Sequence, residues 1–215
     1  MHERAVVLSD YALGVEAATF AVLTLRRHPA GRLRNWVTAF FGATSVASLT
    51  GGTVHGFTPD EESTGHRILW PTTMLAIGAA ALSGWAIGAT LAFPPRAAKV
   101  IVTAGAAEYF AYAAVVTKRS HRFVVAIANY SAPTLFLGGV FLRRYRRSGD
   151  APALSGLTGL GVSALAAGVQ QSKLGLHRRW ADHNVVYHAL QCVSLYLFFQ
   201  CFEGLISASH SGEVS

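Results

Sequence analysis

Residues 68–93 read ILWPTTMLAIGAAALSGWAIGATLAF and contain no Asp, Glu, Lys or Arg. A helix needs about 20 predominantly apolar residues to cross a hydrocarbon core about 30 Å thick, so this run predicts a transmembrane helix. The strands of a membrane barrel would be about 10 residues long with alternating polarity, and this run does not alternate.

Six further apolar runs flank this one, separated by short connections that Pro, Gly and charged residues mark. The chain is 52% hydrophobic and 13% charged, with a mean hydropathy of +0.36, whereas a soluble domain carries about 25% charged residues. We therefore expect an all-α polytopic membrane protein with seven transmembrane helices in one bundle. It forms a single domain over residues 1–215, with a polar tail at 206–215. The predicted spans are 6–26, 35–57, 68–93, 99–117, 123–142, 153–176 and 183–206.

The chain has a net charge of +7, and its Lys and Arg residues cluster at the ends of the spans. Such positions carry topology determinants and contacts to anionic headgroups, so we expect membrane lipids as partners and no nucleic acid. The first, third and fifth connections hold ten Lys and Arg residues, and the rest of the chain holds eight. This bias favours an outside N-terminus. The largest clusters are Arg26, Arg27, Arg32 and Arg34, and Arg143, Arg144, Arg146 and Arg147.

Histidines and aspartates from distant parts of the chain fall at one membrane surface. A chain that crosses the bilayer seven times brings the ends of even spans and the starts of odd spans to the same face. Six imidazole and carboxylate groups occupy these positions and predict a site there. They are Asp10, His55, His177, Asp182, His183 and His188.

The start of span seven supplies the strongest single candidate. Asp182 is a plausible N-cap for the helix, and Asn184 and His188 lie one turn apart on one face. His183 is about 140° around the helix from His188, which makes it the weaker ligand. On span two, Ser48 is two turns before His55 on the same face. His66 is expected to be a solvated loop residue.

The chemistry that this set of residues favours is zinc binding. Neutral imidazoles from several helices form a natural zinc environment, and about three protein ligands plus water describe a catalytic site. Water bound to such a metal has a pKa near about 7. Asp10 or Asp182 then orients a histidine or acts as general base.

Seven spans with a histidine late in span two and histidines at span seven resemble the CREST superfamily of membrane hydrolases, which includes alkaline ceramidases and progestin and adipoQ receptors. In that family a span-two serine and histidine, an aspartate and a His-x-x-x-His pair in span seven hold zinc. The resemblance implies that His55 and His188 are ligands. Asn184 stands at the other position of the pair, and Gly51 stands where the family has serine, with Ser48 as an approximate substitute. The chain also looks like uncharacterised seven-span bacterial proteins, which implies the bacterial inner membrane.

Two classes of function follow. The first is a zinc-dependent hydrolase of a lipid amide or ester, with His55, His177, His183 and His188 as metal ligands and Asp10, Ser48 and Asp182 as catalytic residues. The second is a non-enzymatic sensor, small-solute transporter or assembly subunit. In it, intramembrane polar residues line a proton or conduction path: Asp10, Glu16, Glu108 and Lys173. A b-type haem held by paired histidines is a third possibility.

Overall fold

The computed structural model describes residues 3–118, 122–173, 175, 177 and 182–211. Within these residues the chain forms seven α-helices and no strand, and all seven are long and apolar enough to cross a membrane. The predicted all-α seven-helix bundle is therefore confirmed. The helices are α1 Glu3–Arg27, α2 Arg32–Phe57, α3 Thr64–Ala92, α4 Pro95–Lys118, α5 Phe123–Ser148, α6 Ala151–Gln171 and α7 His183–Ser211.

Local sequence sets several helix ends. The Ser63 hydroxyl accepts from the backbone N–H of His66 at 3.2 Å and caps the start of α3. Gly149 ends α5 at φ 64°, a left-handed conformation that glycine adopts without steric cost. Pro152 then lies in the first turn of α6, where its missing N–H leaves no hydrogen bond unmade.

Three helix ends differ by five or six residues from the predicted spans. Helix α5 continues to Ser148, six residues beyond the predicted end of span five at 142. Helix α6 ends at Gln171, five residues before the predicted end of span six at 176. Helix α7 continues through Ser211, so the first part of the predicted polar tail is helical. Residues 212–215 of that tail lie outside the described residues.

Six of the helices form a ring, in the order α1, α2, α3, α5, α6, α7 and back to α1, and α4 packs on the outside of α3. Helices α1 and α7 run parallel, since Phe20 stacks on Phe199 while Asp10 meets His188 nearer their starts. The starts of odd helices and the ends of even helices form one end of the bundle, which we call the histidine face. The opposite end, with Arg26, Arg27 and the basic end of α5, is the arginine face.

Aromatic side chains fill the interior of the bundle towards the arginine face. The Phe20 and Phe199 rings stack with centroids 4.4 Å apart, and neighbouring rings meet edge to face. Such pairs contribute about 0.5–1.5 kcal/mol each beyond the area that they bury. The buried rings are Phe20, Phe40, Phe41, Phe141, Phe198, Phe199 and Phe202. The cavity described below lies at the other end of the bundle, towards the histidine face.

Helices α1 and α2 approach closely at Gly52. A Cβ atom at this position would lie 2.8 Å from the Cβ of Asp10 and 3.1 Å from a ring carbon of Tyr11. The absence of a side chain therefore lets α2 press against the part of α1 that carries Asp10, and the Tyr11 hydroxyl lies 3.0 Å from that of Thr53. The close approach fixes the position of Asp10 within the bundle.

Candidate functional site

Asp10 of α1 and His188 of α7 form a buried pair near the histidine face. Their side chains are only 8% and 9% exposed, and His188 Nε2 lies 3.1 Å from Asp10 Oδ1. Sequence reasoning placed both residues at this face, and the parallel packing of α1 and α7 brings them into contact.

Ser9 contacts the other ring nitrogen of His188. Its oxygen lies 2.8 Å from His188 Nδ1 and 2.8 Å from the backbone carbonyl oxygen of Val6. A hydroxyl has one proton to donate, and either acceptor can take it. If the Val6 carbonyl takes it, Nδ1–H of His188 donates to Ser9; if Nδ1 takes it, the imidazole proton is on Nε2.

The two proton positions have different consequences for Asp10. A neutral imidazole carries one N–H, and with the proton on Nε2 His188 donates to Asp10 Oδ1 at 3.1 Å. With the proton on Nδ1, the Nε2 lone pair faces Asp10 Oδ1, and these two atoms can then hold a proton or a metal ion between them.

The second oxygen of Asp10 is a further acceptor at the site. Asp10 Oδ2 is buried and has no hydrogen-bond partner within the described parts of the chain. Leaving a buried acceptor unsatisfied costs about 1–3 kcal/mol, and more for a charged group. Oδ2 therefore also needs a proton, a metal or a polar ligand.

A cavity of about 820 Å³ opens on the histidine face beside this pair. Val6 and Asn184 line it, and they lie one helical turn, about 6 Å along the axis, from Asp10 and His188 respectively. The buried pair therefore lies one turn below the lining of the cavity.

His55 also lines this cavity, and its imidazole is exposed at the end of α2. His55 lies one turn after Gly52, the residue at which α2 presses against Asp10. The ring of His55 packs edge to face with Trp70 at 6.4 Å. Of the four predicted histidine ligands, His188 is buried beside Asp10 and His55 lines the neighbouring cavity.

Asp182 has a capping role as well as a place in the lining. Its Oδ1 accepts from the backbone N–H groups of Asn184 and Val185, both at 3.0 Å. The N-cap predicted from the sequence is therefore present in the structure. The same residue lines the cavity.

The other predicted site residues lie further from the pair. His177 is exposed between α6 and α7, and His183 is the half-buried first residue of α7. Ser48 is buried on α2, one turn before Gly52. Within the residues that the structure covers, no group of three or more His, Cys, Asp or Glu side chains is close enough to hold a metal ion.

The Asp10–His188 pair nevertheless fits two positions of a zinc site. Zinc bonds to nitrogen and oxygen are about 2.0–2.2 Å long, so two ligands of a tetrahedral ion lie about 3.3 Å apart. The separation of Nε2 and Oδ1 is 3.1 Å. A ligating histidine also donates its other N–H to a fixed acceptor, and the Ser9 oxygen, 2.8 Å from Nδ1 of His188, is placed to accept it. A third ligand would have to come from the cavity side, where His55 lies.

Intramembrane polar residues away from this pair have separate environments. Glu16 lies further along the contact between α1 and α7 and interacts with Cys192, and its Oε2 is buried without a partner among the described residues. Glu108 accepts a hydrogen bond from the indole N–H of Trp85 at 2.9 Å, which joins α3 to α4. Lys173 is exposed just after α6 and does not face the bundle interior.

Sequence reasoning missed Ser9 and most of the cavity rim. Ser9 adjoins Asp10 at the start of an odd helix, so the topology rule that selected Asp10 would have selected it too. His66 lies in the first turn of α3 and lines the cavity, so its predicted loop position is wrong. Further rim residues are Glu61, Glu62, Arg67, Trp70, Pro71 and Arg122.

Comparison with known proteins identifies one family. The sequence model of DUF6962, a family of unknown function, matches residues 5–206. No curated protein and no solved structure matches the chain. The resemblance to the CREST superfamily therefore stays a prediction that rests on the residues themselves.

Proposed function

The chain therefore belongs to DUF6962, and from its site we propose that it is a membrane-embedded zinc-dependent hydrolase of a lipid amide or ester. One observation carries the proposal: His188 Nε2 and Asp10 Oδ1 lie 3.1 Å apart, close to the spacing of two ligands on one zinc ion, beside a second carboxylate oxygen that has no partner in the described chain. The pair lies one turn below a cavity at the histidine face.

The proposed zinc ligands are His188 and Asp10 through Oδ1, with His55 as the third. Two imidazoles and one carboxylate are a ligand set of known catalytic zinc sites. His55 lines the cavity from the α2 side, and because the three groups are not close enough to hold an ion as they stand, the proposal includes a movement of the exposed His55 side chain towards the pair. When bound, the ion lowers the pKa of water and polarises a carbonyl oxygen.

The protein's own residues supply orientation and proton transfer. With zinc on Nε2, Nδ1 would carry the imidazole proton, and Ser9, 2.8 Å away, would accept it and hold the His188 ring in place. Asp10 Oδ2 is the oxygen that takes the proton of the attacking water and later gives it to the leaving amine or alkoxide. Gly52 holds α2 against this part of α1, which keeps the carboxylate in place.

The cavity suits a lipid with a polar headgroup. Val6, Val54 and Trp70 give it an apolar part, while Arg67 and Glu62 on its rim are charged and exposed to water. A lipid that enters from the leaflet keeps its acyl chains among apolar groups and its headgroup at the rim. Its amide or ester carbonyl then lies between the two, at the level of the site.

The proposed setting is the bacterial inner membrane with the histidine face outside. The connections at the arginine face hold ten Lys and Arg residues, and cytoplasmic connections are enriched in these residues. A site on the outer leaflet would act on lipids exposed there.

A hydrolysis assay on the purified protein tests the proposal. Fluorescent N-acyl amide and ester lipids in mixed micelles, supplied with zinc, are compared for the wild type, His188→Ala and His177→Ala. We expect hydrolysis by the wild type and by His177→Ala, and a loss of at least about 100-fold in His188→Ala, since removing even an outer partner of a metal ligand costs about 10–100-fold. Hydrolysis by His188→Ala at the wild-type rate would overturn the proposal.

A second candidate is a proton-carrying membrane protein without enzymatic activity. Glu16 favours it, because its buried Oε2 lacks a partner in the described chain and lies on the same α1–α7 contact as Asp10. In this alternative the cation between Asp10 and His188 is a proton. Proteoliposomes that show proton flux, abolished in Glu16→Gln, together with zinc-free active protein, would favour it over the hydrolase.

A further inference from the structure

A second cavity, of about 540 Å³, lies at the arginine face, at the opposite end of the bundle from the candidate site. It is a groove between the last turns of α3 and α5, and Phe93 marks its α3 side. None of its lining residues belongs to the proposed hydrolase site, so an inference drawn from it does not depend on that activity.

One face of α5 gives this groove an apolar part and a basic part. Leu135, Gly139, Arg143 and Arg147 all line it, and successive members are four residues apart on one helical face. The two arginines lie at the membrane surface, and Leu135 lies about 18 Å deeper than Arg147 along the helix axis.

The basic part of the groove has excess positive charge. Arg144 is paired with Asp150 through Nε and Oδ2 at 2.9 Å, which leaves Arg143 and Arg147 as the exposed guanidinium groups of the lining. No carboxylate lies among the described lining residues. The groove therefore attracts an anion at the level of the headgroups.

The apolar part is open to the lipid. Leu135 is 77% exposed and Phe93 is 40% exposed. A Cβ atom at Gly139 would meet nothing within 4 Å, so this position is a gap in the helix surface. An acyl chain fits such a gap, and a free anion would make no use of it.

We propose that this groove binds one anionic phospholipid, with its phosphate at Arg143 and Arg147 and an acyl chain over Gly139 and Leu135. Basic pockets between transmembrane helices are known to bind such headgroups, and each arginine near the surface contributes enough to change affinity about fivefold. The positive charge selects an anionic lipid over a zwitterionic one, and the apolar gap selects a lipid over a free anion.

Native mass spectrometry of the delipidated full chain in detergent tests this proposal, with dioleoylphosphatidylglycerol and dioleoylphosphatidylcholine as probes. The double variant Arg143→Gln/Arg147→Gln should bind phosphatidylglycerol about thirtyfold more weakly than the wild type. The matched control is Arg26→Gln/Arg146→Gln, which removes the same charge from the same face outside the groove and should stay within about threefold.

The apolar half of the proposal has its own variant pair. Gly139→Leu fills the gap and should weaken phosphatidylglycerol binding about tenfold, as expected for losing the burial of about two CH₂ groups. Gly161→Leu, at an exposed and equally open glycine of α6, should leave it unchanged. Equal binding of the two lipids, or equal affinities of the two double variants, would overturn the proposal. Full competition by millimolar inorganic phosphate with no effect of Gly139→Leu would also overturn it.

Discussion

The Asp10→Asn substitution tests whether Asp10 and His188 hold a metal ion or only a proton between them. Asn is nearly isosteric with Asp, and its amide group has two N–H donors. The amide can donate to His188 Nε2 or accept from Nε2–H, so it keeps a hydrogen bond at the contact that is now 3.1 Å long, in either tautomer and without a change in volume.

The expected result is a large loss of metal affinity with little change in stability. Because the amide keeps a hydrogen bond to Nε2, the free energy of unfolding of the metal-free protein should stay within about 1 kcal/mol of the wild type, which for a chain of this length is a Tm within about 4 °C. Zinc loses its carboxylate ligand, so its affinity should fall by at least about 100-fold.

Two measurements on detergent-purified protein check this prediction: thermal unfolding of the metal-free form, and zinc competition against a chromogenic chelator. Asp182→Asn is the matched control, because Asn caps a helix as well as Asp does and Asp182 is a cap rather than a proposed ligand. The control should change neither quantity. Zinc affinity of Asp10→Asn within about threefold of the wild type would refute the assignment of Asp10 as a ligand.

Three further substitutions test how the site is built. Gly52→Ala places a Cβ 2.8 Å from Asp10 and should cost about 1–3 kcal/mol in thermal unfolding. Gly42→Ala, where nothing lies within 4 Å, should raise the Tm through the helix propensity of alanine. Ser9→Ala removes the hydrogen-bond partner of His188 Nδ1 and should weaken zinc binding about 10–100-fold. An unchanged zinc affinity would contradict the orienting role of Ser9. Asp182→Ala should lower stability by about 1 kcal/mol through loss of the cap, while Asp182→Asn should not.

The bundle and its two faces were predictable from sequence because both depend on patterns along the chain. Runs such as residues 68–93 are long enough to cross a bilayer, and alternation of direction then assigns His55 and His188 to one face. Asp182 was identified as a cap because the residue types that satisfy free backbone donors are few. These inferences need no knowledge of how the helices rotate against one another.

The contacts within the site were not predictable, because helix rotation is set by packing. Asp10 meets His188 only because α1 and α7 run parallel and α2 packs against α1 at Gly52, where a side chain would not fit. Ser9 gave no signal, since a serine hydroxyl in a helix ordinarily bonds a backbone carbonyl of its own turn. Its bond to Val6 is of this kind, and only the arrival of His188 makes it part of the site.

Elemental analysis of the detergent-purified protein tests the central claim most directly. We predict about one zinc ion per chain in the wild type and in His177→Ala, and none in His188→Ala or His55→Ala, all four being folded by thermal unfolding. Wild-type protein that holds no stoichiometric zinc after dialysis against a zinc-containing buffer would contradict the claim. The contact between Asp10 and His188 would then hold only a proton.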